Sequence, residues 1–128
     1  MRAGQAVSRD PARLRIYHES HALVLSVFRQ SGTFPREQRY VIQQQLQRAT
    51  LSIVCNLVEG CARRSTSEYR QFVNIALGSA REAAYLIDLC AELSYLPQPV
   101  TADCRIRCKR VVGALQNLMR ALERLVDP

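Results

Sequence analysis

The chain has 128 residues, 48% of them hydrophobic, with three Phe, five Tyr and no Trp, and its 18 Lys and Arg outweigh 11 Asp and Glu for a formal net charge of +7. That length makes one domain with a core of its own, which must be packed from aliphatic side chains. No apolar run approaches the roughly 20 residues that span a bilayer, so no membrane partner is expected.

Lys109 is the only lysine, so nearly all the positive charge is Arg, whose planar fork grips phosphate bidentately and stacks on bases. A balance this basic points to an anionic partner, RNA or DNA, with a membrane surface ranked behind and not counted among the expected partners. A GC-rich genome accounts for Arg over Lys as well as function does, but not for the net charge.

The opening stretch MRAGQAVSRDPARLR lacks the apolar segment of a secretory signal, and a cytoplasmic protein is expected. Residues 1–12 are polar, small and basic and read as a flexible arm, with 13–128 as the folded body. Asp10-Pro11 can start a helix. In RIYHESHALVLSVFRQSG, Ile16, Leu23, Val27 and Phe28 can share one face, and Gly32 supplies a stop. A second helix is predicted from Phe34-Pro35-Arg36-Glu37 to about Gly60, with Leu46, Ala49, Ile53 and Leu57 on its inner stripe. Ser65 and Glu68 have capping-box spacing. A third helix follows from about Thr66 to Ser94, its stripe carrying Tyr69, Phe72, Val73, Ala76, Ala80, Ala83, Ile87 and Cys90. Pro97 and Pro99 end it. Thr101 is the expected cap of a fourth helix, whose apolar positions run from Cys108 through Leu115 and Leu122 to Val126. No strand pattern competes, so the predicted fold class is all-α, an antiparallel up-down-up-down four-helix bundle.

Polar residues interrupt the inner faces. Ser52, Asn56, Glu59 and Gly60 on the second helix, and Gly78, Ser79 and Glu82 on the third, read as a structural polar layer that fixes helix register. An antiparallel pair turning near Arg63 puts Glu59 by Tyr69, Asn56 by Phe72 and Glu82 near position 46, with Arg48 as its partner. The small residues around Gly78 invite a second helix to approach closely, from within the chain or from another subunit.

Catalytic, cofactor-binding and metal-binding residues are each read as none. His18 and His21 lack the glutamates of a di-iron bundle. The five cysteines, Cys55, Cys61, Cys90, Cys104 and Cys108, form no C-x-x-C pair and read as buried thiols. No glycine-rich phosphate loop or nucleophile motif is present. Two basic clusters remain as candidate nucleic-acid contacts: Arg63 with Arg64 at the helix corner, and Arg105, Arg107, Lys109 and Arg110 on the fourth helix. They fall at opposite ends of the bundle, so the basic surface is expected to be divided, and solvated surface is the alternative reading of each.

The segments FPRE at 34–37, SIVCNLVEG at 52–60, SEYRQFVNIALGSAREA at 67–83 and LSYLP at 93–97 resemble the family of small proteins encoded within intervening sequences of bacterial 23S ribosomal RNA, also called S23 ribosomal proteins. Ser52, Asn56, Glu59 and Gly60 match one family segment; Ala76, Gly78, Ser79 and Glu82 match the other. The likeness covers about residues 16 to 125, and Tyr17 stands where the family commonly has Trp. The resemblance implies a four-helix bundle and a ring-shaped homopentamer. It also implies kinship with the basic, barrel-shaped accessory proteins of diversity-generating retroelements, which bind nucleic acid and a reverse transcriptase. It supplies no demonstrated activity. The expected function is a non-enzymatic oligomer binding structured RNA or DNA; a scaffold for a protein partner such as a reverse transcriptase is the alternative, and a metalloenzyme, the third class weighed, would need a bound metal.

Overall fold

The computed structural model describes residues 7–126, and residues 1–6 of the expected arm lie outside them. Four helices make the body: α1 (Arg15–Arg29), α2 (Gln44–Cys61), α3 (Thr66–Glu92) and α4 (Gln98–Val126). No strand occurs among the described residues. Each helix packs on the helices next to it in sequence, and α4 closes the bundle against α1. Direct contacts fix the antiparallel senses: Ser52 meets Ser79, Arg105 meets Asp88, and Ser26 meets Cys104.

The buried stripes follow the helical period. Leu46, Ala49, Ile53 and Leu57 of α2 face Val73, Ala76, Ala80 and Ala83 of α3, and Val111, Leu115 and Leu122 of α4 complete the same core. On α1 the buried positions are Ile16, Ser20, Leu23 and Val27. Phe28 does not join them and is 36% exposed. It stands one residue past Val27, about 100° around the helix.

The second helix departs from its expected start. Phe34 is buried ahead of a 3₁₀ turn at Arg36–Gln38, a π-helical turn follows at Arg39–Gln43, and only then does the α-helix begin. Tyr40 and Val41 are both exposed. Of the described side chains of this turn only Ile42 and Gln43 face inward, Ile42 against the core and Gln43 buried, and a wider turn is tolerated there.

The corner between α2 and α3 is capped as its spacing predicts. Ser65 Oγ accepts from the Glu68 backbone N–H at 3.1 Å and donates to Glu68 Oε1 at 3.0 Å, so the carboxylate closes on the hydroxyl rather than on the Ser65 backbone. Helix α3 ends with Ser94 at φ 57°. Tyr95 N–H reaches back to Cys90 O and Ser94 N–H to Ala91 O, a Schellman closure made with serine where glycine is usual. Thr101 is not a cap. Val100 and Thr101 both donate to Pro97 O, so α4 starts earlier, with Pro99 inside its first turn. Thr101 is buried there and donates to Gln98 O.

The segment before α1 lies along the α2–α3 corner. Asp10 caps the 3₁₀ turn Pro11–Arg13 by accepting from Ala12 N–H. Tyr69 donates its phenol proton to Ser8 O at 3.1 Å. The Arg9 guanidinium stacks 5.4 Å over the Tyr69 ring and donates to Arg63 O.

Candidate nucleic-acid interface

The polar layer between α2 and α3 is real but smaller than its sequence signature. Ser52 Oγ and Ser79 Oγ share a hydrogen bond of 2.8 Å, and Asn56 Nδ2 donates to Ser52 O at 2.8 Å and to Ser52 Oγ at 3.0 Å. These three half-buried groups satisfy one another, which is the condition for polar atoms at a helix seam. Glu59 and Glu82 are exposed and stand outside the network. Glu59 pairs with Arg63 at 3.1 Å. The expected pair of Glu82 with Arg48 does not form, and both side chains are exposed to water instead; the register also differs from the expected one. With Ser52 opposite Ser79, Glu82 comes level with Ala49, about three residues from its expected place.

The two glycines of the layer play different parts. A Cβ on Gly60 would stand 3.0 Å from both Phe72 Cβ and Tyr69 Cδ1, so this glycine lets α2 press against α3. Gly78 has no neighbour within 4 Å of such a Cβ. Close approach at Gly78, expected from its small-residue surroundings, is not made within the described chain.

The candidate cationic residues fall into three places. At the corner, Arg63 is held by Glu59 and lies 5.5 Å over the Phe72 ring, while Arg64 is exposed. On one side of α4, Arg105 and Lys109 border a groove of about 850 Å³ against α3, with Arg81 across from them and Ala84, Ile87 and Val112 among its apolar walls. Arg105 donates from Nε to Asp88 at 2.7 Å. On the other side, Arg107 and Arg110 turn toward α1 and share a cleft with Arg13, Arg15 and His18. The basic surface is thus divided among three places, and the expected α4 cluster is itself split between two sides of the helix. The joining of Arg13 and Arg15 to the α4 arginines was invisible in the sequence, because periodicity assigns a residue to a face and not to a neighbouring helix. The segregation of Arg105 and Lys109 from Arg107 and Arg110 was visible in their spacing.

The chemistry of the interior is quiet. All five cysteines are free and four are buried. Burial, with neighbouring Cys104 as the next cause, raises the Cys90 and Cys108 thiols to about 11; burial also raises Cys104. These thiols are protonated at neutral pH, the inert form. Burial, then the hydrogen bond from Cys61, pushes the Tyr69 phenol well above its ordinary range. Among the described residues no group of three or more His, Cys, Asp or Glu side chains could hold a metal ion. His18 and His21 do not form a ligand pair. His18 Nε2 donates to Ala12 O at 2.7 Å, and His21 stacks on Tyr17. No described helix is long and apolar enough to cross a membrane.

Comparison with known proteins agrees with this architecture. The family model of the 23S rRNA-intervening sequence protein matches residues 12–117. A protein of unknown function from the S23 ribosomal protein family of Bacteroides thetaiotaomicron has a similar fold, with a TM-score of 0.75 at 20% identity, covering 81% of this chain and 97% of that one. Among curated proteins no match is found.

Proposed function

The chain belongs to the 23S rRNA-intervening sequence protein family, and from that premise and its surface we propose that it is a non-enzymatic, self-associating bundle that binds structured RNA or DNA through arginine. The observation that carries the reading is the charge. A net +7, almost all Arg, is spread over the outer turns of a bundle whose interior holds no reactive constellation. Such a surface attracts a polyanion by releasing its counterions, without demanding a base sequence. Free cysteines, four of them buried, suit a reducing cytoplasm.

Self-association, as a homopentamer, is part of the proposal. Leu51, Val58 and Ile75 are exposed on the outer sides of α2 and α3, and Gly78 leaves open space beside them. A second reading, a scaffold for a polypeptide partner such as a reverse transcriptase, is favoured by the apolar walls of the α3–α4 groove, which a phosphate backbone would not fill.

Titration of the purified protein with a labelled RNA hairpin and with duplex DNA tests the first reading. Binding that weakens steeply with salt is expected, and no binding at low salt overturns it. Light scattering is expected to give a multiple of 14.5 kDa, and a monomer mass overturns the self-association. A stoichiometric protein partner that survives nuclease would favour the scaffold instead.

A further inference from the structure

We propose that the cleft between the start of α1 and the middle of α4 is the surface that grips the sugar–phosphate backbone of a bound nucleic acid. The inference rests on the nucleic-acid reading above and narrows it to one face of the bundle.

Four arginines line this cleft, Arg13 and Arg15 from the α1 side and Arg107 and Arg110 from α4, with Glu19 the one acidic residue among them. Four positive charges less one negative leaves the lining at +3. Its volume of about 480 Å³ is in the range of sites that take a small polar group. Ala22, with its short side chain, is part of the cleft lining. The walls are fixed, because Leu23, Val27, Val111 and Leu115 beneath them are buried in the common core, and rigid helices present a site more reliably than loops do.

The other two basic places are less suited to a phosphate backbone. At the corner, Arg63 is taken up by Glu59, by a bond to Glu59 O and by the Phe72 ring. Along the α3–α4 groove, Arg105 pairs with Asp88 at 2.7 Å in an exposed pair no stronger than those of the cleft, and what sets the groove apart is that the walls between its cations are apolar. In the cleft, Arg110 has no carboxylate within ion-pair distance among the described residues. Arg13 stands 3.8 Å from Asp10, a loose pair between exposed side chains. Arg15 and Arg107 pair with Glu19 and Asp103 one helical turn away, at 2.9 Å each, with Arg15 highly exposed and Arg107 partly so. Exposed pairs of this kind are worth only a few tenths of a kcal/mol. A phosphate that offers two oxygens to a guanidinium fork can take the place of such a carboxylate. Arg107 and Arg110 are one turn apart, about 4.5 Å along α4. Facing Arg13 and Arg15 across the cleft, they can engage successive phosphates of a strand lying along it.

The test is fluorescence anisotropy of a labelled RNA hairpin and a labelled DNA duplex against the full chain over a series of salt concentrations. The variant Arg13→Gln with Arg110→Gln is expected to bind about tenfold or more weakly at low salt. The slope of log affinity on log salt should become shallower by about 2 on duplex DNA, near one for each lost phosphate contact. Arg13→Lys with Arg110→Lys, which keeps the charge and loses the fork, is expected to fall between. The comparison variant Arg105→Gln with Lys109→Gln should stay within about twofold of the wild type. All three should keep the wild-type helical circular dichroism, since the replaced side chains are exposed. If the wild type binds and the cleft variant binds equally well with the same slope, the cleft assignment is overturned and the nucleic-acid reading stands. Equal losses from the comparison variant also overturn the cleft, because the charge would then be acting as a diffuse field. If the wild type binds neither probe, both readings fall together.

Discussion

Helix α3 has two seams, and they are closed by different chemistry. Against α2 it is held by a glycine contact and by an exchange of hydroxyl and amide hydrogen bonds among Ser52, Asn56 and Ser79. Against α4 the polar groups are thiols. Cys108 donates to Ala80 O at 3.4 Å, and Cys90 and Cys104 are buried with it. The first seam contains no group that ionises among its hydrogen-bonded trio. The second depends on groups that stay neutral only below a certain pH. An aliphatic bundle can therefore admit polar atoms in two ways, and only one of them is indifferent to alkali.

The sharpest test of that difference, and the largest expected effect, is pH. An unfolded thiol titrates near its usual 9.0, whereas Cys90 and Cys108 are held to about 11 in the fold. Below pH 9 both states keep the proton, and the stability associated with the neutral thiol is fully present. From 9 to 11 the unfolded chain releases protons that the folded chain retains, so stability falls by about 1.4 kcal/mol per pH unit for each thiol. Cys104 shifts in the same direction. The Tyr69 phenol, which belongs to the α2–α3 corner, has an ordinary value of 10.0 and adds to the loss only above it. A melting temperature that declines between pH 9 and 10 therefore reports the buried thiols Cys90, Cys104 and Cys108, ahead of the Tyr69 phenol. A flat profile over that interval breaks the comparison.

Next in size is the glycine contact. Gly60→Ala is expected to cost about 1–3 kcal/mol, because Phe72 Cβ and the Tyr69 ring already stand where the new methyl must go. Gly78→Ala on the same pair of helices should act in the opposite sense. It meets nothing within 4 Å, so replacing a mid-helix glycine should stabilise the isolated chain by up to about 1 kcal/mol. Urea unfolding of both variants reads the contrast, and a common sign for the two would break it.

The helices and their inner stripes were legible because burial of one face imposes a period on the sequence. The capping box at Ser65 and Glu68 was legible for the same local reason. What lay beyond local pattern was mostly relational. The turn between α2 and α3 sets which residues stand level, and the three-residue offset that puts Glu82 beside Ala49 follows from how that corner is wound. The wide turn at Arg39–Gln43 leaves no periodic trace, since its Tyr40 and Val41 are hydrophobic yet exposed. Gly78 advertised a close approach that the described chain does not make, while Gly60, which makes one, was read only as a member of the polar layer. Of the candidate interface, the α4 arginines could be named and sorted by side. Their α1 counterparts could not, because Arg13 and Arg15 are brought across from Arg107 and Arg110 only by the closure of the bundle.

Four of the five sulfurs are enclosed, and Cys55 alone is exposed, on the outer side of α2. The native sequence thus carries a single addressable position for a maleimide dye or a spin label, with no need to remove the others first. A probe attached there reports on the flank of the molecule that bears Leu51 and Val58, and its quenching or slowed motion on assembly would register any neighbour that settles against it.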